Sequence, residues 1–210
     1  MAALVIALAT GYLCGSLPWG LWLGRALRGV DVRTLGSKNL GATNVYRTLG
    51  PGIGLLVLAL DIAKGALPTW LVPAWPAVAG FPGGTEWCRL AVGLAAVLGH
   101  VFTLFAGFHG GKGVATTVGV LLAVAPPAFA AFVLVFVATV ALTRYISLGS
   151  ILGSVAFAIA LAVTAPGGIQ SPTFGFGVLI ALVVILRHRD NIRRLLRGEE
   201  RRFSFKGNAA

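Results

Sequence analysis

The sequence predicts an all-α integral membrane protein of seven transmembrane helices, with its N-terminus external and its C-terminus cytoplasmic. Two observations carry that prediction. Hydrophobic residues make up 57% of the 210, charged residues only 11%, and mean hydropathy is +0.90. A soluble domain of this size cannot hide that much apolar surface, so the solvent is a bilayer. The cations are also one-sided: seven spans place 15 of the 17 Lys and Arg on one face, as cytoplasmic loops require, and an even number of spans destroys the pattern. The whole chain reads as one membrane-embedded domain with a basic tail from about residue 187.

A spanning helix needs about 20 mostly apolar residues, and the elements follow in order. The first span covers about Ala3 to Leu23 and ends near Arg25 and Arg28. It lacks a cationic n-region and its apolar run is long, so it reads as a retained helix and not as a signal peptide. A polar stretch follows, then a second span from about Gly52 to Val72 and a Pro- and Gly-rich loop, PAWPAVAGFPGGTE. The third span, Trp87 to Ala106, leads into GFHGGKG. The apolar region from Val114 to Leu142 is too long for one span, and APP at Ala125 to Pro127 divides it into Val114–Val124 and Pro127–Leu142. The first piece is short, which leaves room for part of GFHGGKG to re-enter the membrane. A sixth span covers Ile146 to Thr164 and a seventh Phe174 to Leu186; the tail RHRDNIRRLLRGEERRFSFKG starts as a helix. Cys14 and Cys88 are read as small core residues, since two such cysteines form neither a disulfide framework nor a metal set.

Four polar islands interrupt this apolar sequence, all on the predicted cytoplasmic face: GSKNLGATNVYR, GFHGGKGVATT, RYISLGS and RHRDNIRRLLRGEE. Each sets glycine or small polar side chains beside a cation. Glycine lets backbone N–H groups approach an anion, and a helix N-terminus aims its dipole there. Lys112 in GGKG supplies a point charge, with Gly110, Gly111 and Gly113 around it, but this is no Walker A loop, because Ala106 and Gly113 stand where Gly and Ser or Thr are needed. In the first island Ser37, Asn39, Thr43 and Asn44 offer donors, and Arg47 a bidentate fork. His188 and Asn191 share one helical face at i and i+3, and so do Ser147 and Ser150, which also suit a helix cap. The plainer alternative for each island is a set of caps and turns on a basic surface.

Within the spans, Asp61 and Lys64 are expected to pair at i and i+3, and His100 to hydrogen-bond between helices. No histidine has an Asp five positions on, because Phe105, Val114 and Arg193 stand there. The H-x-x-x-x-D dyad of familiar glycerolipid acyltransferases is therefore missing. The polar face also carries no Cys/His/carboxylate cluster for a metal. An enzyme built this way works on an activated substrate and supplies mainly anion stabilisation. The competing class is a membrane transporter of an anionic phosphate metabolite.

The pieces GSLPWG, GSKNLGATNVYRTLG, DIAKG, LGHVFTLFAGFHGGKGVAT, SLGSI and RHRDNIRRLLRGEERRF stand in order, and with them the chain resembles the bacterial acyl-phosphate:glycerol-3-phosphate acyltransferases, the PlsY family, along nearly its whole length. The resemblance implies seven helices in the bacterial cytoplasmic (inner) membrane, with the active site facing the cytoplasm. It implies acyl transfer from acyl phosphate to the 1-hydroxyl of glycerol 3-phosphate, giving lysophosphatidate and phosphate. It assigns catalytic roles to Ser37, Arg47, Lys112, His188 and Asn191. Asn39, Gly41, Thr43, Asn44 and Ser147 would bind substrate, with Gly110, Gly111 and Gly113 closing around a phosphate. A mixed anhydride carries its own leaving group, so no cofactor or metal is expected. The expected partners are the two substrates and membrane lipids, with no nucleic acid and no obligate protein partner. Lys38 departs from the resemblance, since the family usually has Gly there.

Overall fold

The structure, a computed structural model, describes residues 1–204; the last six residues of the basic tail lie outside them. Its α-helices are α1 (Ala2–Gly15), α2 (Trp19–Arg28), α3 (Ala42–Leu49), α4 (Pro51–Leu71), α5 (Gly84–Val101), α6 (Val114–Val124), α7 (Pro126–Thr143), α8 (Ile146–Thr164), α9 (Pro172–Arg187) and α10 (Arg189–Leu196). Among the described residues, five segments are long and apolar enough to cross a bilayer, or six if α9 and α10, bent by 61°, count as one span. The 11-residue α6 is a shorter apolar helix. Residue contacts divide the chain into two compact units, Met1–Val124 and the part from Ala125 onward.

In the first unit the predicted first span is not continuous. It breaks over Ser16 to Pro18, between α1 and α2, because Pro18 brings no N–H to the helix ladder. Backbone carbonyls freed inside a membrane need partners, and side chains supply them. Lys64 Nζ donates to the Leu17 carbonyl at 2.7 Å, and the Thr103 hydroxyl donates to the Ser16 carbonyl. Helix α1 can lie tightly on α5 because Gly15 has no side chain: a Cβ there would come within 2.0 Å of the Ala96 carbonyl oxygen. The α4–α6 seam follows the same rule, where a Cβ on Gly119 would meet the Ile62 carbonyl oxygen at 2.0 Å. Small residues at such seams let helices pack in lipid, where no hydrophobic drive acts between them.

In the second unit α7 and α8 form a hairpin whose connection is Arg144 (φ 63°) and Tyr145. Phe129, Phe132 and Phe136 stack along α7 with ring centroids 6.1 and 5.8 Å apart. Helix α9 begins two residues before its predicted start. Ser171 caps it, accepting from the Phe174 N–H at 3.0 Å, and Pro172 occupies the first turn, where its missing N–H costs nothing. Helices α6 and α8 fall at their expected boundaries.

Candidate active site

The first polar island is more ordered than a run of turns. Its second half is a helix, α3. Its first half folds around Asn44, which is 3% exposed. The Asn44 carboxamide nitrogen lies 2.9 Å from the Asn39 carbonyl and 3.2 Å from those of Val32 and Leu35, while its oxygen accepts the Ser37 N–H at 2.8 Å. Both ends of the side chain are thus committed inside the loop. Asn44 builds the island, its side chain here serving the loop's own backbone. Asn39 likewise uses its oxygen on the Gly41 N–H at 2.8 Å. Ser37 is exposed, and Thr43 and Arg47 are half-buried one turn apart on α3. Lys38 has φ 58°, a left-handed conformation that costs a residue with a Cβ about 1–2 kcal/mol. Glycine, which the resemblance implies at this place, carries no such cost.

Arg33 does not join the island's donors. Asp31 holds its guanidinium at 2.6–3.2 Å and also pairs with Arg25 at 2.8 Å. Hydrogen bonding from Arg33 keeps the Asp31 carboxyl far below the usual carboxylate range.

The glycine loop of residues 110–113 folds back on the end of α5. The Gly110 N–H donates to the Val101 carbonyl at 3.0 Å and the Gly111 N–H to the His100 carbonyl at 3.1 Å. A Cβ on Gly110 would sit 1.9 Å from the His100 oxygen, and one on Gly111 2.2 Å from His100 Nε2. Those two N–H groups hold the loop to α5, and glycine serves close packing. Lys112, the cation of this loop, is half-buried. Gly113, at φ 81°, starts α6, its carbonyl accepting the Thr117 N–H at 2.7 Å.

Beneath these segments lies a small pocket whose wall includes Trp19, Leu40, Asp61, Lys64, His100 and Gly111. It brings the Leu40 end of the first island and the glycine loop to one place. The expected Asp61–Lys64 pair is present at 2.7 Å, with both side chains at most 4% exposed. His100 meets Thr116 of α6 at 3.0 Å, the interhelical bond anticipated for it.

In the second unit Ser147 and Asn191 come together, and a residue the sequence did not single out joins them. The Ser147 hydroxyl and the Asn191 amide both donate to Oε1 of Glu200, at 2.7 and 2.6 Å, and Arg194 Nε donates to Oε2 at 2.7 Å. Burial works against charge on Glu200, but these hydrogen bonds outweigh it and hold the carboxyl below its ordinary value of 4.5. In the sequence Glu200 is one of two adjacent acids in a basic tail, indistinguishable from solvated surface. Ser150 bonds the Ile146 carbonyl at 2.8 Å, a helix-internal contact. His188 is buried at the α9–α10 bend, and its Nδ1 lies 2.8 Å from the Val184 carbonyl. A carbonyl only accepts, so Nδ1 carries the proton and Nε2 is the basic nitrogen of the neutral ring.

Fold and islands together define a multi-pass helical membrane protein with cation-bearing polar segments suited to anions. The family model described as Glycerol-3-phosphate acyltransferase matches residues 5–198, across both units. A Glycerol-3-phosphate acyltransferase of Geobacter sulfurreducens is 47% identical over 200 residues, covering 95% of this chain and 97% of its own. That of Desulforudis audaxviator is 45% identical over 208 residues, covering 98% and 100%. Two crystal structures of PlsY (YgiH), an integral membrane glycerol 3-phosphate acyltransferase, are similar at 39% identity. The glycerol 3-phosphate form has a TM-score of 0.83 over 96% of each chain, and the lysophosphatidic acid form 0.81 over 96% and 95%. The chain belongs to the glycerol-3-phosphate acyltransferase family.

Proposed function

We propose that this protein transfers a fatty acyl group from acyl phosphate to the 1-hydroxyl of glycerol 3-phosphate, at the cytoplasmic face of a bacterial inner membrane. The hydroxyl oxygen attacks the acyl carbonyl carbon, the bond from that carbon to the phosphate oxygen breaks, and phosphate leaves with the electron pair. The hydroxyl proton goes either to His188 Nε2 or to a phosphate oxygen. The products are 1-acyl-glycerol 3-phosphate and inorganic phosphate. The family supports the acceptor, and the missing H-x-x-x-x-D dyad supports a donor that needs no activation. The observation that supports the reading is the convergence of Ser147 and Asn191 on one anionic oxygen, that of Glu200: two donors meet where an anion can accept both. Within the first unit, Lys112 is the candidate anion contact of the glycine loop, and Ser37 and Arg47 those of the first island. The whole chain is one acyltransferase domain. The short α6 and the bent α9–α10 complete seven crossings, with the N-terminus outside.

Purified protein in detergent, given palmitoyl phosphate and glycerol 3-phosphate, is expected to release lysophosphatidate and phosphate in equal amounts. Palmitoyl-CoA free of acyl phosphate is expected to give little product, and comparable turnover with it overturns the donor assignment. Flux of glycerol 3-phosphate across proteoliposomes without product would favour the transporter. In a Cys14→Ala/Cys88→Ala background, a cysteine at Gly80 should label from outside the cell and one at Glu199 only after permeabilisation. The reverse pattern refutes the topology.

A further inference from the structure

We propose that His100 is a positioning residue for Lys112, holding the chain on both sides of it. The inference rests on the reading of the glycine loop as a phosphate contact. Before Lys112, the Gly111 N–H is bonded to the His100 carbonyl at 3.1 Å. After it, Thr116 in the first turn of α6 is bonded to the His100 ring at 3.0 Å. One residue, 6% exposed at the end of α5, therefore brackets the six residues from Gly111 to Thr116 that carry the lysine.

The bracket is rigid on its far side. His100 Nδ1 lies 3.8 Å from Asp61 Oδ1, and Asp61 is paired with Lys64 at 2.7 Å. Lys64 donates at 2.7 Å to Leu17 in the break between α1 and α2. Gly111 leaves no slack on the near side, since even a methyl group there would overlap the ring. The imidazole is thus wedged between a buried ion pair and the loop backbone. A few tenths of an ångström of ring movement would be transmitted to the lysine, because packed interiors shift as units. Side chains that act through one group give non-additive losses when mutated together.

The test is a double-mutant cycle on the purified enzyme. Lys112→Ala and His100→Ala should each lower kcat/KM for glycerol 3-phosphate by at least about tenfold. With Lys112 already alanine, His100→Ala should add less than about threefold. His100→Gln, whose amide retains a donor and an acceptor for Thr116, should recover part of the loss. Losses that multiply in the double variant overturn the inference and leave His100 as a packing residue. Wild-type kcat/KM in His100→Ala, with Lys112→Ala impaired, also overturns it. Full activity of Lys112→Ala removes the phosphate reading itself. If His100→Ala does not accumulate, Thr116→Val carries the same cycle, because it removes the bracket's second arm without enlarging or shrinking the side chain.

Discussion

Asp31 and Asp61 hold cations at nearly the same distance, 2.6–2.8 Å from Arg25 and Arg33 in one case and 2.7 Å from Lys64 in the other. They differ in solvent. The Asp31 side chain is 23% exposed in the loop after α2, and that of Asp61 is 2% exposed inside a span. At the surface, water replaces a lost partner, so such pairs contribute about 0–1 kcal/mol. Inside a span nothing replaces it, and removing one partner leaves a buried charge. The same contact is therefore optional in the loop and obligatory in α4. Glu200 lies between them at 7% exposed.

The comparison is broken most sharply at Lys64. Lys64→Met should destabilise the protein by about 3–5 kcal/mol and collapse its yield, read as Tm in detergent. Asp61→Asn combined with Lys64→Met should restore much of that Tm, since no unpaired charge remains. If Lys64→Met alone has the Tm of the natural protein, the pair is not obligatory.

In the proposed function Lys112 is a cation that meets substrate. Lys112→Ala should reduce kcat/KM by at least about tenfold, because a charge-assisted hydrogen bond is worth roughly 1.5–3 kcal/mol, with Tm nearly unchanged. Lys112→Arg should recover only part, as the wider fork fits the tight loop poorly. Near-normal activity of Lys112→Ala would mean that GGKG only starts a helix.

Glu200 adds a pH dependence. Its folded pKa is lowered by Asn191, Ser147 and Arg194 against the effect of burial, so the native carboxylate is favoured over the unfolded one. Its contribution is complete above the ordinary value of 4.5 and is lost as pH falls below that through the lower folded value. Protection of the α10 amides, taken relative to the intrinsic exchange rate at each pH, should fall over that range in the natural protein. In Glu200→Gln protection should be low at every pH, and an unchanged protection profile would exclude this carboxylate as the cause.

The smallest effects belong to the first island and the loop just before it. Lys38→Gly should raise stability by about 0.5–1 kcal/mol, because relief of the left-handed conformation exceeds glycine's entropy cost. Arg33→Ala should lower it by no more than about 1 kcal/mol, a change in Tm close to the error of measurement. A loss as large as that of Lys64→Met would erase the distinction between the two carboxylates.

Local features made much of this protein legible in advance. Apolar runs and proline mark the helices α6, α8 and, within two residues, α9. Helical spacing pairs Asp61 with Lys64 from sequence alone, since i and i+3 are neighbours on any helix. Composition and motif order pointed to the bilayer and the family. What depended on distant segments was not legible. Pro18 shows where α1 can break, but only the folded chain brings Lys64 and Thr103 to the exposed carbonyls. Asn44 reads as a polar donor in the sequence, but only the folded loop shows the backbone groups it holds. Glu200 acquired its role when the tail met α8, 53 residues away from Ser147. A side chain's spacing along the chain fixes which face it occupies, whereas its partners are set by whatever the other helices place opposite, and in lipid every buried polar group must find one.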